Sequence, residues 1–223
     1  LTSVRARFER VQLRIADACR AAGRDPAEVT LVAVSKRQPR ERLAEAVALG
    51  HGDFGENYAR ELQRKHEEFP DVRWHLVGHL QRNKTKLVQG VALIHSLDGE
   101  RLARALDRRA AETERRFPVL VQVHQGDEST KTGVEPAAVA PLVEALRDLP
   151  GLDPKGLMSL PPPGEGRRYF AELRELRDAV RARTGVDLPD LSMGMSDDFE
   201  DAIAEGATII RIGTALFGAR PSA

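Results

Sequence analysis

The feature that most constrains this chain is a repeated alternation. Short, continuous apolar runs are each followed by a stretch of helical period. The runs are Val29–Val34, Asp53–Gly55, Val72–Val77, Ala92–His95, Val119–Val123, Gly156–Leu160, Leu188–Ser192 and Thr208–Ile212. They read as strands. Helices are expected from Arg40 to Leu49, about Tyr58 to Glu68, about Asn83 to Gln89, Gly99 to Arg115, Pro136 to Arg147, Glu165 to Arg183 and Asp197 to Glu205. An additional helix precedes them all, from Arg5 to Ala22. Its apolar stripe is Val4, Phe8, Val11, Ile15, Ala18 and Cys19, and Gly23 supplies its stop. Continuous rather than alternating runs belong to parallel sheets covered on both faces. Eight such units in 223 residues fit an α/β fold: a single (β/α)8 barrel of the TIM type, with an extra N-terminal helix. The rival is a doubly wound open sheet. Its G-x-G-x-x-G turn is absent, because Ser35-Lys36-Arg37-Gln38-Pro39 follows the first run.

No fixed-period repeat interrupts this pattern. The longest breaker cluster, Leu160-Pro161-Pro162-Pro163-Gly164, is too short to separate domains, so residues 1–223 are expected to form one domain. Lysine plus arginine number 34 and aspartate plus glutamate 34. That balance argues against bulk binding to nucleic acid or an anionic membrane, and leaves room for a local basic site. The single cysteine, Cys19, excludes an internal disulfide framework and a cysteine-rich metal site. No apolar run approaches the ~18 residues of a membrane span. Leu1 to Arg20 is charged throughout and lacks a signal-peptide core. A cytoplasmic protein is the expectation.

A barrel carries its chemistry just past the C-terminal ends of its strands. Lys36 follows the first run; Glu56 and Asn57 follow the second; His79, Gln81 and Asn83 follow the third; Ser96 and Asp98 follow the fourth. Glu128 and Lys131 lie in a polar loop after the fifth, where they also read as a solvated pair. Met158 and Ser159 end the sixth, Ser192-Met193-Gly194-Met195-Ser196 follows the seventh, and Arg211-Ile212-Gly213-Thr214 ends the eighth. Lys36 directly follows apolar residues, where desolvation favours a neutral amine able to attack an aldehyde. The competing reading is a lysine snorkelling from a strand end. Ser196 and Gly213-Thr214 occupy the two loops where barrels often hold a phosphate. Taken singly, Ser196 also reads as an ordinary N-cap and Gly213 as a turn glycine. Arg211 sits in a run that should be buried, where a guanidinium needs a partner, and a structural ion pair is the alternative. His75, His79, His95 and His124 lack a carboxylate or thiolate at ligand spacing, so no metal site is expected. Trp74, Phe54 and Phe170 read as core.

An amine after the first strand and a phosphate cup after the last two suggest a phosphorylated aldehyde cofactor. The chain resembles the pyridoxal 5′-phosphate (PLP) homeostasis proteins, the YggS/PROSC family, which share a barrel with the alanine racemase N-terminal domain. The resemblance runs from Leu31-Val32-Ala33-Val34-Ser35-Lys36 to Arg220. Its motifs are Phe54-Gly55-Glu56-Asn57-Tyr58, the stretch from Trp74 through Gly78-His79-Leu80-Gln81-Arg82-Asn83-Lys84, Gly156-Leu157-Met158, Leu191 to Asp198, and Ile209 to Gly218. It implies that Lys36 holds PLP as a Schiff base, and that Ser196, Gly213 and Thr214 hold the phosphate. It places Arg211 near the pyridine nitrogen, Asn57 and Met193 close to the ring, and His79 further out at the mouth. His124 stands where the family usually has Asn, and Arg82 where Ser is commoner.

An arginine can only donate to the pyridine nitrogen, which weakens PLP as an electron sink. Racemases of this barrel type add a β-domain, and a tyrosine from the partner chain is their second base. Ala223 follows shortly after the eighth run, so no such domain is expected. The only tyrosines are Tyr58, without an evident activator, and Tyr169, expected to face outward. The leading expectation is a monomeric PLP carrier that maintains vitamin B6 and amino-acid pools and serves apo PLP-dependent enzymes, with little or no catalysis. The alternatives are a PLP enzyme with weak racemase or transaminase-like activity and a PLP-independent Schiff-base aldolase.

Overall fold

The computed structural model describes residues 3–126, 132–162 and 164–219. Glu128, Lys131, Pro163 and Arg220 lie outside the described residues. Eight parallel strands close into a barrel in chain order: β1 (Thr30–Val34), β2 (Asp53–Glu56), β3 (Arg73–Leu76), β4 (Leu93–Leu97), β5 (Phe117–Val123), β6 (Leu152–Ser159), β7 (Asp190–Ser192) and β8 (Ile209–Ile212). The last strand returns to the first, with Thr30 opposite Ile209 and Ala33 opposite Ile212. The helices are α1 (Val4–Ala21), α2 (Arg40–Ala48), α3 (Ala59–Glu68), α4 (Glu100–Thr113), α5 (Pro136–Ala145), α6 (Gly166–Thr184), α7 (Phe199–Ala204) and α8 (Thr214–Phe217). The barrel expected from the apolar runs is the observed fold, extra N-terminal helix included.

Why the runs are continuous is visible in the packing. One set of strand side chains fills the lumen: Val32, Val77, Leu93, Leu120, Met158 and Ile209. The alternate set, including Ala33, Phe54, Trp74, Ile94, Val121, Leu157 and Ile210, packs outward against the helices. Both faces exclude water, so neither tolerates the polar alternation of a one-sided sheet.

Three expectations need correction. The stretch after β3 is a 3-10 helix, Arg82–Val88, rather than an α-helix. The sixth strand starts at Leu152, ahead of the expected Gly156. Pro154 lies inside it, and the ladder absorbs it. Val119 faces Pro154 and Leu120 faces Gly156, so Lys155 is the extra residue of a bulge. The third correction is that Ser196 does not cap α7. Asp198 precedes that helix and spends its Oδ1 on the Met195 N–H, 2.6 Å away.

The extra helix α1 is fastened by Ser3, whose Oγ accepts from the Ala6 N–H at 3.2 Å. It buries Val4, Phe8, Val11, Ile15 and Cys19 and packs against α2, α7 and α8. Its Phe8 ring lies edge-on to His51 and Phe217, with centroids 5.2 and 6.0 Å away.

Candidate functional site

A cavity of about 970 Å³ opens at the C-terminal end of the barrel. Lys36, Asn57, Ser196, Arg211, Gly213 and Thr214 all line it, with Val34, Val77 and Leu160 among the apolar walls. Four strand ends thus deliver six of the expected residues to one place.

Lys36 projects from the turn after β1, and that turn is held from beneath. The Ser35 N–H donates to the Gly55 carbonyl at 2.9 Å. The Ser35 hydroxyl donates to Glu56 Oε1 at 2.6 Å. Lys65 Nζ, on α3, donates to the Ser35 carbonyl at 2.7 Å and pairs with Glu56 at 2.6 Å and Glu61 at 2.8 Å. Arg37 takes a left-handed φ of 57°, and its N–H donates to Glu61 Oε1 at 2.7 Å. The backbone on either side of Lys36 is therefore fixed by buried charge. Burial pushes the Glu56 carboxyl up, against the lowering effect of Lys65 and Ser35.

Asn57 follows β2, and the chain after β3 crosses it closely. A Cβ on Gly78 would stand 2.3 Å from the Asn57 carbonyl oxygen, so only glycine fits. Arg211, on β8, is 4% exposed. Its Nη1 donates to Ser192 Oγ at 2.5 Å and its Nη2 to the Ser159 carbonyl at 2.8 Å. Burial pushes the guanidinium down to about 10, with Asp198 opposing, so it stays protonated at neutral pH. Among the described residues no carboxylate lies within ion-pair distance of it, and neutral groups hold it in place of an ion pair.

Two residues after Arg211, Gly213 opens α8. The Ala215 N–H in the first turn of α8 donates to Ser196 Oγ at 3.3 Å. A Cβ on Gly213 would stand 3.2 Å from the Val34 carbonyl, so the turn packs directly on β1. A hydroxyl from the β7 loop, a hydroxyl from Thr214 and the start of α8 thus converge.

Met193 does not line this cavity. Its N–H donates to the Ile209 carbonyl at 3.0 Å, which continues the ladder by one residue. With Ser192 pointing into the lumen, Met193 must point outward, and it is fully buried in the sheet–helix core. Gly194 then turns at a φ of +90°, and it is Met195 that reaches the cavity.

The family described as alanine racemase, N-terminal domain, matches residues 12–221. The pyridoxal phosphate homeostasis protein of Aquifex aeolicus is 46% identical over 221 residues, 96% of this chain and 97% of that protein. This chain belongs to the pyridoxal phosphate homeostasis protein family. A solved structure of PipY from Synechococcus elongatus, described as having PLP bound, is 37% identical and superposes with a TM-score of 0.79. That match covers 92% of this chain and all of PipY (100%). An alanine racemase from Corynebacterium glutamicum is 20% identical with a TM-score of 0.70, over 96% of this chain and 62% of the racemase. That likeness is one of fold.

For a member of this family, the remaining candidates fall away from the cavity. His79 pairs with Asp98 at 3.0 Å and lines a separate cavity of about 910 Å³ beside Gln81, Arg82 and Asn83. His124 Nδ1 is 2.7 Å from Glu135 Oε1. Tyr58 is exposed under the Arg37 guanidinium, and Tyr169, half-buried rather than facing outward, lies under Arg168. His75 and His95 meet at 3.0 Å, but among the described residues no cluster has the ligands for a metal ion. No described helix is long and apolar enough to cross a membrane. Lys65 was not legible in the sequence as part of the site. Its only signal was its position four residues after Glu61 on the helix that follows Glu56.

The donor set suits a phosphorylated aldehyde. It combines a lysine on a braced turn, hydroxyls and a helix start for an anion, and a buried cation that can only donate.

Proposed function

We propose that this chain binds PLP through Lys36 and holds it for delivery, with little or no turnover. The observation that carries the reading is one cavity joining the Lys36 amine, the Arg211 guanidinium and the start of α8. The PLP-bound structure of its relative PipY supports it. When bound, PLP would supply an aldehyde for the Lys36 amine to hold covalently. Ser196, Gly213 and Thr214 would receive the phosphate. Asn57 would lie against the ring. Arg211 would face the pyridine nitrogen as a donor and withhold a proton from it. Met193 would contribute only from the core behind the loop that presents Met195.

The cavity also supports restraint in catalysis. Reversing a stereocentre needs proton carriers on both faces of the substrate. Among the described residues, no histidine, tyrosine or cysteine lines this cavity, and its one carboxylate, Asp197, is exposed. The proposed setting is the cytoplasm, the proposed recipients are apo PLP-dependent enzymes, and the proposed consequence is maintenance of PLP and amino-acid pools by a monomer.

Purified protein mixed with PLP should turn yellow. Borohydride should then fix a pyridoxyl group on Lys36, read by peptide mass, and Lys36→Ala should lose both signals. Absence of the adduct from the wild-type protein would overturn PLP binding at Lys36. Chiral chromatography after incubation with single amino-acid enantiomers should show no conversion at ~1 per second, an ordinary enzyme rate. Conversion at that rate would overturn the carrier role.

A further inference from the structure

Arg211 is gripped from behind by a chain of hydrogen bonds that crosses the barrel. Asp53 on β2, His75 on β3, His95 on β4, Ser192 on β7 and Arg211 on β8 all face inward. Asp53 Oδ1 lies 2.9 Å from His75 Nε2. His75 Nδ1 lies 3.0 Å from His95 Nε2. His95 Nδ1 lies 2.8 Å from Ser192 Oγ. Arg211 Nη1 donates to that same oxygen at 2.5 Å. His75, His95, Ser192 and Arg211 are all buried.

With His75 neutral, the two ends dictate the direction of every bond. A guanidinium only donates, so Ser192 Oγ accepts from Arg211 and has one hydrogen left to give. It gives it to His95 Nδ1. His95 must then carry its proton on Nε2 and donate to His75 Nδ1. His75 in turn donates from Nε2 to Asp53, and an ionised carboxylate only accepts. Burial alone would raise Asp53, but the hydrogen bond from His75, with Arg73 and His51 nearby, outweighs it and holds the carboxyl below its ordinary value. Burial above all, with the Arg211 charge nearby, holds His95 well below the usual imidazole range, so it stays neutral. Both histidines are therefore Nε2–H tautomers.

The far end of this chain meets a second cavity. About 250 Å³ in volume, it lies where the strands begin and is lined by Arg73, His75, Lys155 and Asp190. The charged and titratable groups facing His75 are Asp53 on β2, Arg73 on its own strand, His95 on β4, Lys155 on β6, Asp190 on β7 and His51 ahead of β2. Arg211 on β8 follows beyond His95 and Ser192.

We propose that Asp53, His75, His95 and Ser192 are positioning residues for Arg211, and that a proton taken up by His75 at the barrel floor is transmitted to the ligand cavity. A second proton, on His75 Nδ1, turns that atom from acceptor to donor. His95 must then accept at Nε2, shift its own proton to Nδ1 and donate to Ser192. The Ser192 oxygen now receives two donors, and its hydrogen loses its acceptor in the chain. A hydroxyl that no longer donates along the chain is a weaker acceptor, so the grip on Arg211 loosens although Arg211 itself keeps its charge. What Arg211 then presents to PLP rests on the function proposed above; the chain itself does not.

The test has two arms. In ¹⁵N-histidine-labelled protein without added ligand, long-range proton–nitrogen spectra should show His95 as the Nε2–H tautomer at about pH 8. It should become Nδ1–H on acidification. Nδ1–H at the alkaline end, or no change on acidification, would overturn the proposal. Asp53→Asn, at a partly exposed position, should move the change to lower pH; a transition in the same place would also overturn it. The second arm is PLP titration followed by absorbance. Wild-type affinity should fall on acidification in step with the tautomer change, while Ser192→Ala should bind about tenfold more weakly at about pH 8, roughly the worth of one lost hydrogen bond. It should also vary less with pH; equal affinity and equal pH profiles would overturn the positioning role. A wild-type protein that binds no PLP would defeat the PLP reading and leave the tautomer arm to decide the chain.

Discussion

At the scale of residues, the molecule spends its buried polarity in two places. One is the Ser35–Glu56–Lys65 brace beneath Lys36, and the other is the histidine chain behind Arg211. Both carry a cost that varies with pH. Burial lowers His95 and His51, the latter against a hydrogen bond to the Asp53 carbonyl. Unfolded imidazoles take up protons below about pH 6.5, while these two resist. The unfolded state therefore binds more protons in that window. Stability should be complete above it and fall as the pH drops through it, by at most about 1.4 kcal/mol per pH unit per proton. Glu56 has the opposite sign: raised in the fold, it favours stability at low pH and loses that contribution as the pH rises. Urea unfolding from about pH 8 to about pH 5 should show the loss, with a shallower slope for His95→Gln. That Lys36, Asn57, Ser196, Arg211, Gly213 and Thr214 meet at one cavity was legible in the sequence because each stands at a strand end, where a barrel puts its chemistry. Met193 was not, because one residue of ladder beyond β7 decides which way it points. Nor was the partner of Arg211, since hydroxyls and carbonyls from other strands leave no local signal.

At the scale of elements, apolar period sets existence and pairing sets length. The α1 stripe was readable throughout, from Val4 to Cys19, because a 3.6-residue period survives wherever the helix packs. The start of β6 was not. Pro154 is tolerated only because the bulge opposite Val119 and Leu120 takes up Lys155, and that accommodation belongs to the pair of strands. The stretch after β3 is too short and too polar for period to distinguish an α-helix from a 3-10 helix. The stripe of α1 also locates its strongest anchor. Phe8 is 3% exposed between His51 and Phe217. Phe8→Ala should cost about 3–5 kcal/mol, measured by denaturant unfolding. A loss near zero would mean that α1 packs loosely on α2, α7 and α8.

At the scale of the whole molecule, the closing seam between β8 and β1 matters most. Four residue pairs, from Thr30–Ile209 to Ala33–Ile212, convert a twisted sheet into a barrel. The cavity straddles that seam, since Lys36 follows β1 while Arg211 and Gly213 come from β8. Seam and site should therefore open together. Hydrogen exchange should give the β1 and β8 amides the same protection as those of the long β5–β6 pair, with earlier exchange at the seam counting against a single cooperative barrel. Closure has one more consequence. Because every described strand already has two neighbours, the barrel leaves no edge among the described residues on which another polypeptide could add a strand. Any protein that receives a cofactor from this one must recognise its helices or loops.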